Sequence, residues 1–383
     1  MKHFSKLATT AALSLGSLAI ALPVSAAGYN ITSSYLTGLP DCAVSSGQPV
    51  AVAGGCKYDD ALGIMGTSYY LGAGDYTLGE DLTLDGTKSL VFDGASSFNL
   101  NGKTISDGGT TNYVGTVQVK SGTIALSGGT ISGTTSIFFG GNATISNLTS
   151  TDSTRIFGTA TINSGTFSAN MESAIYAFKN ANITINGGTF TSAQDKGIEA
   201  VHWGDDDYDF TGTLRINGGT FTGNTHGLLV GDPSQVTNIT LAGGTFKYTG
   251  TNDTFGAIGI TSEDAIAASS LNGLLASGYS YSDATANVAS EYAIYNAVLT
   301  NHSVTIVGGS TPDPESGSTD DSTDSSSSTT SVESTESVGT PDSGRVTSEG
   351  GSATASALAT VGAATAITSA AYLAKKHFAK KNA

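Results

Sequence analysis

Apolar residues alternate with polar ones over short stretches of this chain, and one phrase carries the pattern again and again. Its clearest copies are ITINGGTF (183–190), LRINGGTF (214–221) and ITLAGGTF (239–246). FNLNGKTI (98–105), IALSGGTI (124–131) and ATINSGTF (160–167) are looser copies, and NATISNLT (142–149) is a degenerate seventh. Alternation at period two predicts strands with one buried face. The Gly/Asn corner that follows suits positive φ or a crowded backbone.

The second apolar position of each copy serves as a register mark: Leu100, Leu126, Ile145, Ile162, Ile185, Ile216 and Leu241. The marks lie 17 to 31 residues apart, about one coil of a β-solenoid. Spacing this irregular argues against a propeller or leucine-rich array, and no helical pattern separates the strands. A single coil cannot bury its apolar face alone, so stacking Ile over Ile and Phe over Phe is expected to build the core. The pattern predicts an all-β, right-handed, single-stranded parallel β-helix over residues 68–309. Asn163, Asn186 and Asn217 recur at the corner and are expected to form an internal amide ladder.

The flanks read differently. Residues 27–67 form an irregular N-terminal segment expected to cap the first coil. After Phe246, Thr261 and Asp264 make a T-x-x-D start, and Ile266, Leu271, Leu274 and Leu275 follow at helical spacing. These predict a short helical C-terminal cap. Val304 and Ile306 then return to strand alternation.

Composition adds location. Residues 1–26 carry Lys2 and Lys6, an apolar run and Val24-Ser25-Ala26, the pattern of a secretory signal peptide. Residues 310–352 are Ser, Thr, Asp, Glu, Gly and Pro with almost nothing apolar, a composition that predicts a disordered linker. Residues 353–383 hold an uncharged run followed by Lys375, Lys376, Lys380 and Lys381, which predicts a marginal apolar helix held in a membrane with a basic tail. Without the six terminal lysines the body carries ten basic against 32 acidic residues, a formal charge of −22. Nucleic acid and anionic membrane surfaces are poor partners for such a body. Behind an export signal, Cys42 and Cys56 are expected to pair in a disulfide, the alternative being two free thiols.

The NGKTI and INGGTF phrases, preceded by YYLGAGDYTLGEDLTL, resemble the pectate-lyase-like β-helix superfamily. More narrowly they resemble repetitive surface proteins of Gram-positive bacteria. The resemblance covers residues 68–309 and specifies fold better than function, since the superfamily hosts lyases, hydrolases, adhesins and stalks. Thr340-Pro341-Asp342-Ser343-Gly344 before the apolar run resembles a sortase sorting motif, with Thr340 where Leu is usual and Ser343 where Thr is usual. The resemblance implies anchoring by sortase to a Gram-positive cell wall. The alternative is retention in the membrane by the C-terminal helix.

The longest interval, between Ile185 and Ile216, contains Asp195, Lys196, Glu199, His202, Trp203, Asp205, Asp206, Asp207, Tyr208 and Asp209. Arg215, His226 and Asp232 follow in the next coil. Insertions on a solenoid are where binding surfaces form. One reading gives Asp205, Asp206, Asp207 and Asp209 as Ca²⁺ ligands, with Trp203, Tyr208 and Arg215 contacting a sugar. Its D-x-G-I-E-A phrase resembles carbohydrate-binding β-helix proteins. A second takes Asp205, Asp206 and His226 as the acid–base set of a polysaccharide hydrolase or lyase. The polygalacturonase motifs this would resemble lack their Asn-x-Asp and Arg-x-Lys partners here, and only Arg155, Arg215 and Arg345 are available as a lyase base. In a third reading the loop is simply solvated. The sequence favours a non-catalytic, adhesin-like or glycan-binding surface protein. An enzyme and a passive cell-wall spacer are its alternatives.

Overall fold

The computed structural model describes residues 28–308, apart from 60–66, 86–87, 109–114, 134, 136, 202–208, 232–237, 263, 283 and 292–293. These residues are mostly strand, arranged in a 17-stranded and a 12-stranded sheet with a small hairpin beside them. The repeated phrase explains the larger sheet. In ITINGGTF the first half is the strand Asn182–Ile185 and the second half the strand Thr189–Ser192. Both halves find their counterparts one copy away, in parallel and in register. Ile162 faces Ile185, Ile185 faces Ile216 and Ile216 faces Leu241. Phe167, Phe190, Phe221 and Phe246 form the matching row in the second half.

The 12-stranded sheet takes one further short strand from each repeat, among them Thr154–Ile156, Ile175–Ala177, Ile198–Ala200 and His226–Gly231. These also pair in parallel with their neighbours. The chain thus visits two rows of the larger sheet and one row of the second, then repeats.

The Gly-Gly corner between the two halves does two jobs. Gly188, Gly219 and Gly244 have φ of 113°, 109° and 103°, which side chains rarely adopt. At the preceding position crowding decides. A Cβ on Gly218 would lie 2.7 Å from the Asn186 carbonyl oxygen, and one on Gly243 2.2 Å from that of Asn217. The neighbouring repeat therefore passes directly over the corner.

The core is one continuous column. Leu126, Ile145, Ile162, Ile185, Ile216 and Leu241 are fully or almost fully buried. The four phenylalanines stack with ring centroids 5.0, 4.7 and 4.9 Å apart and planes within 11° of parallel. Burying each ring contributes about 1.5–3 kcal/mol, with ~1 kcal/mol more from each stack.

Three expectations change. Leu126 faces Phe98, not Leu100, because the first copy spends two more residues in its corner before Ile105 meets Ile131. Leu100 is nonetheless buried. The asparagine ladder exists but runs along the exposed surface: Asn217 Nδ2 donates to Asn186 Oδ1 at 2.8 Å, and Asn186 Nδ2 to Asn163 Oδ1 at 2.9 Å. The corner turns its amides outward while the flanking Ile and Phe turn inward. Thr261 does not start a helix. It lies inside the strand Gly256–Ser262, and the helical element is a 3₁₀ helix at Ala268–Leu274. The apolar spacing still marks its inner face, since Leu271 and Leu274 are buried.

The ends differ from the middle. The described residues of the N-terminal segment, 28–59 and 67, are more regular than their composition suggests. Gly28–Ile31 continues the larger sheet by pairing in parallel with Asp75–Leu78, and Thr32 caps the helix Ser33–Thr37 through the Tyr35 amide. Cys42 and Cys56 are joined in a disulfide with Cα atoms 4.9 Å apart. At the other end the parallel order stops: Ile294–Leu299 runs antiparallel to Gly256–Ser262, and Ser303–Gly308 antiparallel to Thr245–Tyr248. The signal peptide, the linker, the Thr340–Gly344 motif and the C-terminal apolar run lie outside the described residues. Among the described residues, no helix is long and apolar enough to cross a membrane.

Candidate functional site

Each repeat turns a corner between its second larger-sheet strand and its second-sheet strand, and a cluster of charged residues lies at three of these corners and on the adjoining strands. Successive corners carry Glu172 and Ser173, then Asp195 and Lys196, then Thr225 and His226. Backbone bonds stack them: the Ala174 amide donates to the Lys196 carbonyl at 3.1 Å, and the Gly197 amide to the His226 carbonyl at 3.0 Å. On the adjoining strands, Arg155, Tyr176 and Glu199 occupy one register position.

The side chains form a linked network. Lys196 Nζ lies 2.8 Å from Asp195 Oδ1 and 3.1 Å from Glu199 Oε2. Ser173 Oγ bonds Asp195 Oδ2 at 2.9 Å and Glu199 Oε2 at 2.8 Å, and the Tyr176 hydroxyl donates to Asp195 Oδ2 at 3.1 Å. One repeat earlier, Arg155 reaches both oxygens of Glu172 at 3.0 Å. Burial pulls the Lys196 ammonium down, but the carboxylates of Glu199 and Asp195 outweigh it and hold it above the usual lysine range. Burial pushes Glu199 up, with Lys196 pulling against it. Burial also pushes the Tyr176 hydroxyl up, and the surrounding carboxylates add to the effect.

His226 is the outlier. It is 3% exposed, and neither ring nitrogen has a hydrogen-bond partner among the described residues. Its ring packs 5.2 Å from that of Phe255 and sits over Gly259, where a Cβ would come within 2.7 Å of it. Burial, aided by Lys196, lowers its pKa to about 3.

The residues singled out from sequence are distributed as follows. Trp203, Asp205, Asp206, Asp207, Tyr208 and Asp232 lie outside the described residues. Asp209, the remaining member of the Ca²⁺ set, is buried at 4% exposure beside Phe210. Among the described residues no group of three or more His, Cys, Asp or Glu is arranged to hold a metal. Arg215 is exposed on the larger sheet and bonds Asn217 Oδ1 at 2.8 Å, whereas His226 is buried in the second sheet. The structure does not bring these two together.

His226 and the approach to residues 202–208 lie on neighbouring strands. Val201, which leads into residues 202–208, follows the end of the strand Ile198–Ala200, while His226 begins the parallel strand His226–Gly231. The two points are at opposite ends of adjacent strands. Nor are Asp195, Lys196 and Glu199 part of an outgrowth: they belong to a regular corner and strand.

Sequence reasoning passed over Ser173 and Tyr176, and it named Arg155 only as a possible base. Arg155 and Tyr176 share a register column and Ser173 sits at the corner beside it, an arrangement that is invisible until the repeats are aligned. Comparison of the chain with protein-family models, with curated proteins and with solved structures gives no match.

Proposed function

We propose that this protein is a right-handed parallel β-helix displayed outside a Gram-positive-type cell, where its flank holds polysaccharide without cleaving it. The observation that carries the reading is the repeat register. Two parallel rows in one sheet and one in the other place every apolar mark inside, so corners and insertions are the surfaces left for recognition. The signal-peptide pattern, the polar spacer and the Thr340–Gly344 motif supply display, with sortase attachment or membrane retention as its means. Trp203, Tyr208 and Arg215 remain the proposed sugar contacts, and Ca²⁺ the proposed ion for Asp205, Asp206, Asp207 and Asp209.

The corner network itself is unsuited to hydrolysis. Glycoside hydrolysis needs one protonated and one ionised carboxyl facing the bond. Asp195 and Glu199 instead share Lys196 and Ser173. His226, buried with a pKa near 3, is a poor general acid at neutral pH.

The test is to pass the purified protein over immobilised polygalacturonate, other plant glycans and mucin glycans. Retention without new reducing ends or unsaturated products is expected, with loss of retention in Trp203→Ala. Product formation would establish an enzyme, and absence of retention on every glycan would leave a passive spacer.

A further inference from the structure

Beyond the charged corner, the last turn of the parallel stack borders an open cleft of about 380 Å³. Tyr248, Asp253, Phe255, Asn287, Thr300 and His302 line it. We propose that it is a saccharide subsite taking one uncharged pyranose unit, a reading that rests on the glycan-binding function above.

The walls are fixed before any ligand arrives. The Tyr248 hydroxyl donates to the Asn252 carbonyl at 2.9 Å and accepts from the Asn252 amide at 2.5 Å. Both of its hydrogen-bonding roles are therefore used, and the ring serves as a wall. Asn252 Oδ1 accepts from the Thr254 amide at 3.0 Å and the Thr254 hydroxyl at 2.8 Å, and its carbonyl accepts from the Phe255 amide at 3.0 Å. This ties down the turn that carries Asp253 and Phe255. His302 stacks on Tyr248 with centroids 5.2 Å apart and planes 13° from parallel.

The unspent valences define the ligand. His302 Nδ1 lies 3.0 Å from the Tyr248 carbonyl oxygen. A carbonyl only accepts, so Nδ1 carries a proton, and in the neutral ring Nε2 is left as an acceptor. Asn287 Oδ1 accepts from the Val288 amide at 2.8 Å, leaving its NH₂ as donor. Asp253 adds a carboxylate, and Phe255 adds an apolar ring. The hydroxyls of Thr251 and Thr300 complete the lining, Thr300 donating to the Thr285 carbonyl and so facing a ligand as an acceptor. Acceptors predominate, so a fitting ligand is rich in hydroxyl donors and has one apolar face to lay on the ring. A pyranose has both. No Lys or Arg lines the cleft, and the body is strongly acidic, so a uronic acid is repelled. At this volume the cleft sits at the small end of ligand sites, which run from about 300 to 1,000 Å³. One sugar residue fits that better than an extended chain.

The test is saturation-transfer NMR on the full chain, with glucose, galactose, N-acetylglucosamine and galacturonate as separate probes. At least one neutral sugar should receive transfer, and galacturonate none. In a Trp203→Ala background, which removes a sugar contact proposed above, Asp253→Asn and His302→Gln should each weaken that signal about tenfold. Near-ultraviolet circular dichroism would verify that each variant is folded. Transfer that survives both substitutions in folded protein, or that favours galacturonate, would overturn the subsite. Retention of polysaccharide with no monosaccharide transfer would sink the subsite alone, whereas loss of both would sink the glycan-binding reading with it.

Discussion

Two aromatic ladders run along this molecule, and they obey different rules. Inside, Phe167, Phe190, Phe221 and Phe246 are direct register partners, fully buried, with ring planes 6–11° apart. Outside, half-buried Phe138, Phe157 and Phe178 stack at 4.8 and 4.6 Å, but with planes 27° and 20° apart. The outer ladder starts off register, since the residue facing Phe138 is Arg155, two positions before Phe157. Inside, close packing and backbone register leave each ring a single orientation. Outside, Phe138 meets Phe157 diagonally, and although Phe157 and Phe178 continue the register of Ile156 and Ala177, their rings are left less parallel. The interior therefore specifies the fold, while the surface is free to carry function.

That contrast can be broken or sharpened by substitution, taking the largest expected effect first. Phe190→Ala removes a ring packed on both faces and should lower unfolding free energy by about 3–5 kcal/mol in denaturant titration. A loss under about 1 kcal/mol would mean that the stack is decorative. Lys196→Met leaves Asp195 and Glu199 uncompensated in a nearly dry corner and should cost about 3 kcal/mol at neutral pH. The cost should shrink in acid as the carboxyls protonate. Cys42→Ser opens a loop of 14 residues' separation and should cost about 3 kcal/mol by loop entropy.

His226→Leu should act in the opposite direction. It removes two unpartnered buried nitrogens and should gain about 1 kcal/mol. Its pH signature has a definite sign. The folded pKa of about 3 lies below the unfolded histidine value of about 6.5, so stability is full above the latter and declines as pH falls between them. Glu199, raised by burial, works the other way: its contribution is full in acid and is lost as pH rises through its folded pKa. The leucine variant should therefore show a shallower acid limb in unfolding free energy against pH. An unchanged limb would show that His226 is not held neutral. Phe157→Ala, on the outer ladder, should cost only about 1 kcal/mol, and equality with Phe190→Ala would erase the distinction between the two ladders.

Much of this was legible in the chain. INGGTF states its strands, its corner and its buried face, because period-two alternation and paired glycines have few other uses. The second sheet was harder to see: Ile137–Phe139 and Thr154–Ile156 are three residues long, too short for periodicity to register. Leu100 misled because its copy has a longer corner. Asn186 misled because amide stacking is favourable on either side of a sheet. Thr261 misled because Ser262, one residue on, is the side chain that holds the Asp264 amide. The charged corner needs Arg155, Tyr176 and Glu199 to be aligned across repeats of unequal length. Alignment of that kind belongs to the fold and not to any one phrase.

The most direct test of the in-register account uses the row of outward threonines. Thr104, Thr130, Thr149, Thr166, Thr189, Thr220 and Thr245 face one another in succession. With about 4.8 Å between strands, spin labels on Thr104 and Thr189, Thr220 or Thr245 should give electron–electron distances of about 19, 24 and 29 Å, rising by one strand spacing per repeat. Distances that fail to climb with repeat number, or that cluster at a single value, would contradict it.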